Sequence, residues 1–333
     1  IVITVASIIV QLAATRYTPR ITEMFFRDRT NRIVIGVFVV SAIYSLWVNY
    51  AIRSVDNAEA SFVPQYGVIT VLALLTLNLL MMAPYFAYVF DFLEPDKIVM
   101  RIRAAGVEDA LRRSRSESEE DVDARRMNAL SALEQLADIA LNAIQQKDKG
   151  IASYTVDSIS ELVVAYMPHK GSIDDRWFSI RGRLLQDPDF VSMNEVALGR
   201  LSSDHTWLLM VYREALTQMP DIVNRIAIDT RYIGKAALVA SDRAALAAVI
   251  KFFNTYMRRA LNARDIPAAY NCLNQYRYLA EEILKHGFSE EAVRVANHFK
   301  YYAQTAQTMK LAFITETIAF DLCTLNELAY DIG

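Results

Sequence analysis

The chain has 333 residues, 53% of them hydrophobic, with a mean hydropathy of +0.17 and a formal charge of −3 from 35 Lys+Arg and 38 Asp+Glu. That balance gives the chain as a whole no electrostatic footprint for nucleic acid, and ten Gly with eight Pro exclude collagen-like or low-complexity character. Two cysteines, Cys272 and Cys323, cannot make a disulfide framework and four His leave little for a metal site, so composition points to a membrane-attached helical protein.

Ile1 to Thr15 is apolar but too short to cross a bilayer alone. It has no basic segment before it and no small-residue cleavage site after it, so it reads as the latter part of a spanning helix and not as a signal peptide. Thr4, Ser7 and Gln11 share one face of that helix. Thr18-Pro19 then reads as an N-cap and first helical residue, followed by Ile21, Met24, Phe25 and Phe26 beside Arg20, Arg27, Arg29 and Arg32. The spacing predicts a short amphipathic helix over 19–32 lying in the membrane interface. Together with Arg16, these arginines either fix topology and bind lipid phosphates or form a basic ring at a cytoplasmic pore mouth.

Two long stretches without Asp, Glu, Lys or Arg follow, 33–52 and 60–90. About 20 helical residues cross a hydrocarbon layer of about 30 Å, so spans are expected at about 33–52 and 66–90. Ser41, Ser45 and Asn49 lie on one face of the first, and Asn78 lies near the middle of the second, with Pro84 as an expected kink. Lipid cannot satisfy these polar side chains, so they face other helices or a water-filled path. Five Arg between Arg16 and Arg32, and Lys97, Arg101 and Arg103 after the last span, place both segments in the cytoplasm by the positive-inside rule.

Gln11-Leu12-Ala13-Ala14, Tyr17-Thr18-Pro19-Arg20 and Phe26-Arg27-Asp28-Arg29-Thr30-Asn31 together carry a resemblance. They are similar to the signature of a bacterial family of predicted membrane proteins catalogued only as a domain of unknown function, number twenty-two fifty-four. The resemblance covers about residues 1–100 and reaches weakly to Ala137-Asp138-Ile139-Ala140. It implies a hairpin of membrane helices leading to a cytoplasmic helical domain, with no assigned activity. At Gln145 to Ile151 the chain departs from the family's Ser-Pro-Gly-Ile-Asn-Asp-Pro type of turn.

Residues 96–126 read as a charged linker or solvated helix, with a mixed-charge run from Arg112 to Arg126, and 127–333 as a cytoplasmic helical domain. Leu130, Leu133, Ala137, Ala140, Leu141 and Ile144 form one apolar stripe, and Val156, Ile159, Leu162, Val163 and Tyr166 a second. Residues 168–202, with three Gly and two Pro, are expected to be irregular or short-helical. From Ser203 every segment reads helical. The last runs from Ser289 to Ile332 without Gly or Pro, with a coiled-coil-like stripe through Val295, Phe299, Tyr302, Ala306, Met309 and Phe313. That seam meets either a helix of the same chain or a second copy. The pairwise arrangement is similar to helical-hairpin repeats, but no second copy stands out at a fixed period, so a bundle is favoured over a solenoid.

Chemistry is nearly absent from the pattern. No two glycines are closer than 11 residues, which excludes a Gly-rich phosphate loop, and metal-binding His or Cys spacings do not occur. His169, His205, His286 and His298 are scattered; His169 near Asp174 and Asp175, and Asp204-His205, are the nearest approaches to acid-base pairs. Tyr276, Tyr278, Tyr301 and Tyr302 read as helix-packing tyrosines with one wet end. No catalytic residue, cofactor or metal is assigned. The expected class is all-α: polytopic membrane helices over 1–95 followed by a cytoplasmic helical bundle, in the bacterial inner membrane. The leading expectation for function is a non-enzymatic, homo-oligomeric channel- or transporter-like assembly in contact with lipid and gated or assembled by its cytoplasmic part. The alternative is a scaffold that docks a cytoplasmic protein partner.

Overall fold

A computed structural model describes residues 4, 7, 8, 11, 20–53, 64–112, 118–173, 177 and 206–332, and the described residues are almost all helical with no strand. The chain divides into two compact units, Ile1–Ile98 and Val99–Gly333.

In the first unit, α1 (Arg20–Arg27) is followed at once by α2 (Arg29–Arg53), and α3 (Gln65–Phe92) packs on α2. The single amphipathic helix expected over 19–32 is therefore two helices. Asp28 divides them because its carboxylate accepts the Thr30 N–H at 2.8 Å and the Asn31 N–H at 3.4 Å, supplying partners for groups that a helix start leaves free. Arg29 and Arg32 accordingly belong to the first turn of α2. At 25 and 28 residues, α2 and α3 are long and apolar enough to cross a membrane. A soluble core helix of such composition hides its side chains. Here Leu46, Trp47 and Tyr50 of α2 and Leu79 and Leu80 of α3 are exposed, an apolar surface that calls for lipid or other helices. The described residues hold two such helices and not three; of the expected span over 1–15, Thr4, Ser7, Ile8 and Gln11 are helical and the rest lies outside the described residues.

The second unit begins within α4 (Pro95–Leu111), at Val99, and continues through α5 (Glu119–Gln145), α6 (Lys149–Tyr166) and a 3-10 turn (Met167–Ser172). It then runs through α7 (Thr206–Gln218), α8 (Pro220–Val239), α9 (Arg243–Asn262), α10 (Ile266–Lys285), α11 (Ser289–Thr308) and α12 (Ala312–Ile332). The charged run is helical from Glu119, where Ser118 and Asp121 cap each other across the first turn. Close approach of α4 rests on Gly106, whose place any Cβ would bring to 2.8 Å from both Ala132 Cβ of α5 and Leu162 Cδ1 of α6. The expected irregular region over 168–202 falls largely outside the described residues.

From α5 onward the helices pair as hairpins, α5 with α6, α7 with α8, α9 with α10 and α11 with α12. Each hairpin stacks on the next, so that α6, α8, α10 and α12 make one layer and α5, α7, α9 and α11 the other. This is an array of neighbours and next neighbours, the solenoid pattern that the sequence reading placed second to a closed bundle. A fixed period does exist. Helices α8 to α12 begin at Pro220, Arg243, Ile266, Ser289 and Ala312, each 23 residues after the last. The same step carries the buried residues Ile226, Val249, Cys272, Val295 and Ile318, one from each helix.

The turns repeat too. Ser241, Arg264, Gly287 and Lys310 each adopt a positive φ, between 53° and 75°. The following N–H then reaches back to the carbonyl five residues earlier, as in Asp242 to Ala237 at 2.8 Å and Leu311 to Ala306 at 2.9 Å. Asp242 and Asp265 go on to cap the next helix through Ala245 and Ala268. The segment expected to run unbroken from Ser289 to Ile332 is thus two helices joined at Met309-Lys310-Leu311. Val295, Phe299, Tyr302 and Ala306 are buried inside this chain, which gives that seam an intramolecular partner, while Phe313 begins the next helix and stays exposed. Rings tie neighbouring helices: Tyr212 stacks on Tyr256 at 4.0 Å within one layer, while Phe253 on Tyr276 at 4.8 Å and Tyr276 edge-on to Phe299 at 5.2 Å link the two layers.

Candidate functional site

In the first unit the arginine-rich motif builds a joint. Asn31, fully buried, donates from Nδ2 to the Phe25 carbonyl at 3.1 Å and accepts the Tyr85 hydroxyl at Oδ1 at 2.9 Å, tying α1, α2 and α3 together. Phe25 packs against Tyr88 and Phe92 beside it. Desolvation raises the Asp28 carboxyl, but hydrogen bonds from Tyr88, Thr30 and Asn31 outweigh it and hold the pKa below its ordinary value. The polar members of the motif, Asp28 and Asn31, thus have structural work that a reading centred on its arginines missed. Arg27, Arg29 and Arg32 are exposed; Arg20 opens α1, and Arg16 lies outside the described residues.

The expected polar face is only partly inside. Ser41 is buried with its Oγ lacking a hydrogen-bond partner among the described residues, Ser45 donates back to the Ser41 carbonyl at 2.8 Å, and Asn49 is exposed. Asn78 buries an Oδ1 with no hydrogen-bond partner among the described residues. Thr4 and Gln11 are exposed and Ser7 is half-buried.

The second unit holds an open cavity of about 1260 Å³ between α6, the 3-10 turn, α8 and the start of α9. Its floor carries Asp157, Arg225 and Asp229. Arg225 pairs with Asp157 through its Nε and stands 3.5 Å from Asp229 Oδ2. Asp229 is 3% exposed, and its Oδ2 accepts no hydrogen bond among the described residues. Burial, then the charge on Asp157, pushes the Asp229 pKa up to about 8. At the rim, Lys170 and Asp242 pair at 2.6 Å, both largely buried. Burial raises the Asp242 carboxyl, but Lys170 and the Ala245 N–H outweigh it and hold the pKa low.

Asp229 belongs to a wider row. It is the tenth residue of α8, and the tenth residues of α6, α10 and α12 are Ser158, Gln275 and Asp321; all four are buried with one side-chain oxygen free of hydrogen bonds among the described residues. Asp321 meets Arg277 Nε of α10 at 3.3 Å, and burial pushes its pKa up to about 6. None of these residues was singled out from sequence. The signal was present: Asp229 sits in step with Ile222, Ile226 and Ile233, a carboxylate on an apolar stripe.

Histidines and tyrosines resolve into packing. His298 Nδ1 lies 3.0 Å from the Tyr276 hydroxyl and 2.9 Å from Asn254 Nδ2, and burial followed by the Arg294 charge lowers its pKa. His286 Nδ1 lies 2.8 Å from the Glu282 carbonyl, His169 is exposed, and His205, Asp174 and Asp175 lie outside the described residues. Tyr276 and Tyr302 are buried, whereas Tyr278 and Tyr301 are exposed. Cys272 is buried and its thiol is pushed well above the ordinary value by burial, leaving it unreactive; Cys323 is exposed. Among the described residues no group of three or more His, Cys, Asp or Glu could hold a metal ion.

No curated protein and no solved structure matches the chain. Residues 1–150 match the family model described as Predicted membrane protein (DUF2254), a match that runs from the first residue to the start of α6, and with the exposed apolar helices α2 and α3 in the same stretch the chain is similar to that family of membrane proteins.

Proposed function

We propose that the protein is a multi-pass protein of the bacterial inner membrane whose hairpin array, in the cytoplasm, docks a protein partner. One observation carries this reading. Arg231 lies over the rings of Tyr232 and Tyr278 at 4.7 and 5.6 Å, and Arg277 over Tyr278 at 4.3 Å, so the same Arg-Tyr pair recurs one hairpin apart on a single layer. Tyr232 and Tyr278 are exposed. Arginine and tyrosine are the residue types that carry most binding energy at protein interfaces, and stacked hairpins present them on a continuous surface. Orientation follows from the basic loops, and α2 and α3 supply the membrane attachment.

A photo-reactive amino acid placed at 232 or 278 in cells tests this. The reading expects an adduct of one defined mass from both positions, and none from 293 or 301 on α11 of the other layer. Adducts from neither layer, or equally from both, would overturn it.

A second reading, an oligomeric channel- or transporter-like assembly, is supported by the buried Ser41 Oγ and Asn78 Oδ1, which have no hydrogen-bond partner among the described residues. In it, Thr4, Ser7 and Gln11 line a path with Arg16 and Arg20 at its mouth. Purified protein in planar bilayers separates the readings: a conductance whose anion selectivity changes in Gln11→Leu or Arg16→Ala supports the path, and none under any voltage or tension removes it.

A further inference from the structure

Within the layer of α8, α10 and α12, each helix turns the same places to the next. At the twelfth residue, Arg231 of α8 lies over Tyr278 of α10 at 5.6 Å, and Arg277 of α10 meets Asp321 of α12 at 3.3 Å. At the sixteenth, Lys235 of α8 pairs with Glu282 of α10 at 3.6 Å, and at the fifth, Tyr270 of α10 stands 5.6 Å from Phe313 of α12. The eighth, fifteenth and eighteenth residues are buried in both leading helices: Ala227, Gly234 and Ala237 in α8, Leu273, Ala280 and Ile283 in α10. On α12 the same places are exposed. Ala319, Asn326 and Ala329 are open, as are Glu316, Cys323 and Glu327 at the fifth, twelfth and sixteenth. Phe320 and Tyr330, three residues before and seven after Cys323, share its face and are 72% and 87% exposed. The outermost helix of a stacked array is kept soluble by a polar outer face; this one sets two rings there.

The charge has changed sign as well. α8 and α10 reach forward with cations, Lys235 to Glu282 and Arg277 to Asp321. α12 offers carboxylates in turn, Glu316 and Glu327, and no Lys or Arg follows Lys310. Two copies meeting at this face would set those carboxylates against their own counterparts, and an anionic lipid surface would be repelled. We propose that the outer face of α12 docks a basic amphipathic helix of another protein, seated on α12 as α12 is seated on α10. Its apolar side chains cover Ala319, Phe320 and Tyr330, and its Lys or Arg residues pair with Glu316 and Glu327. The seat is distinct from the Arg-Tyr surface and stands whether or not a partner docks there.

The test uses the chain's own thiol, since Cys323 lies exposed in the seat while Cys272 is buried. The probe is a cysteine-free peptide of about 20 residues, long enough to span α12, with Leu at helical spacing and Lys elsewhere. With the purified full chain in nanodiscs of zwitterionic lipid, it should slow maleimide labelling of Cys323 by about tenfold at saturation. Because the seat is reversible, labelling still runs to completion. The same peptide with Glu in place of Lys should leave the rate unchanged. In the Glu316→Lys/Glu327→Lys chain, whose altered positions are both exposed, the preference should reverse. Val293→Cys in a Cys323→Ser chain, exposed on α11 of the other layer, should label at one rate with either peptide. Protection by both peptides alike or by neither, an unchanged preference in the double variant, or equal protection at position 293 would each overturn the proposal. Slow labelling of Cys323 without peptide, in step with a dimer's mass, would overturn it too, by making the face a seam between copies.

Discussion

Replacing Lys310 with glycine should stabilise the second unit, although it removes a side chain and most substitutions do the reverse. Lys310 is held at φ 61° between α11 and α12. A non-glycine residue in that left-handed region carries roughly 1–2 kcal/mol of steric cost. Glycine removes it and returns about 0.5–1 kcal/mol through the extra freedom of its unfolded chain. The difference is a gain of about 0.5–1 kcal/mol, or a rise of a few degrees in melting temperature for a unit of this size. The same replacement three residues earlier, at Gln307, falls inside α11, where glycine should cost about 0.5–1 kcal/mol. Both side chains are exposed, so packing does not confuse the comparison. Melting followed by circular dichroism in a mild detergent reads both. The reasoning fails if Lys310→Gly destabilises, or if the two variants shift in the same direction, because the turn would then not impose the left-handed geometry.

Glycines at close contacts give a second contrast: Gly106→Ala should destabilise because Ala132 Cβ cannot retreat, whereas Gly234→Ala meets the flexible end of Leu279 at 2.7 Å and should be milder, as paired melts would show. Tyr85→Phe leaves the buried Asn31 Oδ1 without its donor and should cost about 1–3 kcal/mol in detergent unfolding; an unchanged melt would remove the joint between α1, α2 and α3. Phe299→Glu should prevent folding of the array, because the ring is fully buried against Tyr276; a folded variant of unchanged stability would sink the intramolecular seam. The raised pKa values of Asp229 and Asp321 mean that their folded forms bind protons more tightly than their unfolded ones. Their stabilisation is full below the unfolded value near 4 and is lost as pH rises to about 6 for Asp321 and about 8 for Asp229. Melting temperature should therefore fall between pH 6 and 8, and Asp229→Asn should flatten that fall.

Charge-free length made the two apolar helices readable, since nothing else keeps Ile33–Ile52 and Ala60–Phe90 free of Asp, Glu, Lys and Arg. The stripes Leu133 to Ile144 and Val156 to Val163 were readable from apolar residues recurring at three and four positions, one buried face each. The period of 23 was hidden by what fills its turns. Of Ser241, Arg264, Gly287 and Lys310, glycine alone announces a left-handed residue, and the others are exposed side chains whose conformation is imposed by the carbonyls they free. Asp242 and Asp265 were the better clue, as caps one period apart. The cavity was less legible still. Asp157 and Asp229 are 72 residues apart by way of a hairpin junction, and only packing of α6 on α8 brings them to one arginine. The Arg16–Arg32 segment drew attention to charge, while its buried work is done by Asp28 and Asn31.

The central claim is that α2 and α3 anchor a folded helical array on the cytoplasmic side of the membrane, and the chain carries its own reporters for it. Cys323 is exposed on α12 and Cys272 is buried in α10. A membrane-impermeant maleimide should leave both unlabelled in spheroplasts, label Cys323 alone once the membrane is permeabilised, and reach Cys272 only after denaturation, with Cys323→Ser as the control. Labelling of Cys323 in intact spheroplasts would contradict the orientation, and equal labelling of both cysteines in the permeabilised native protein would contradict the array.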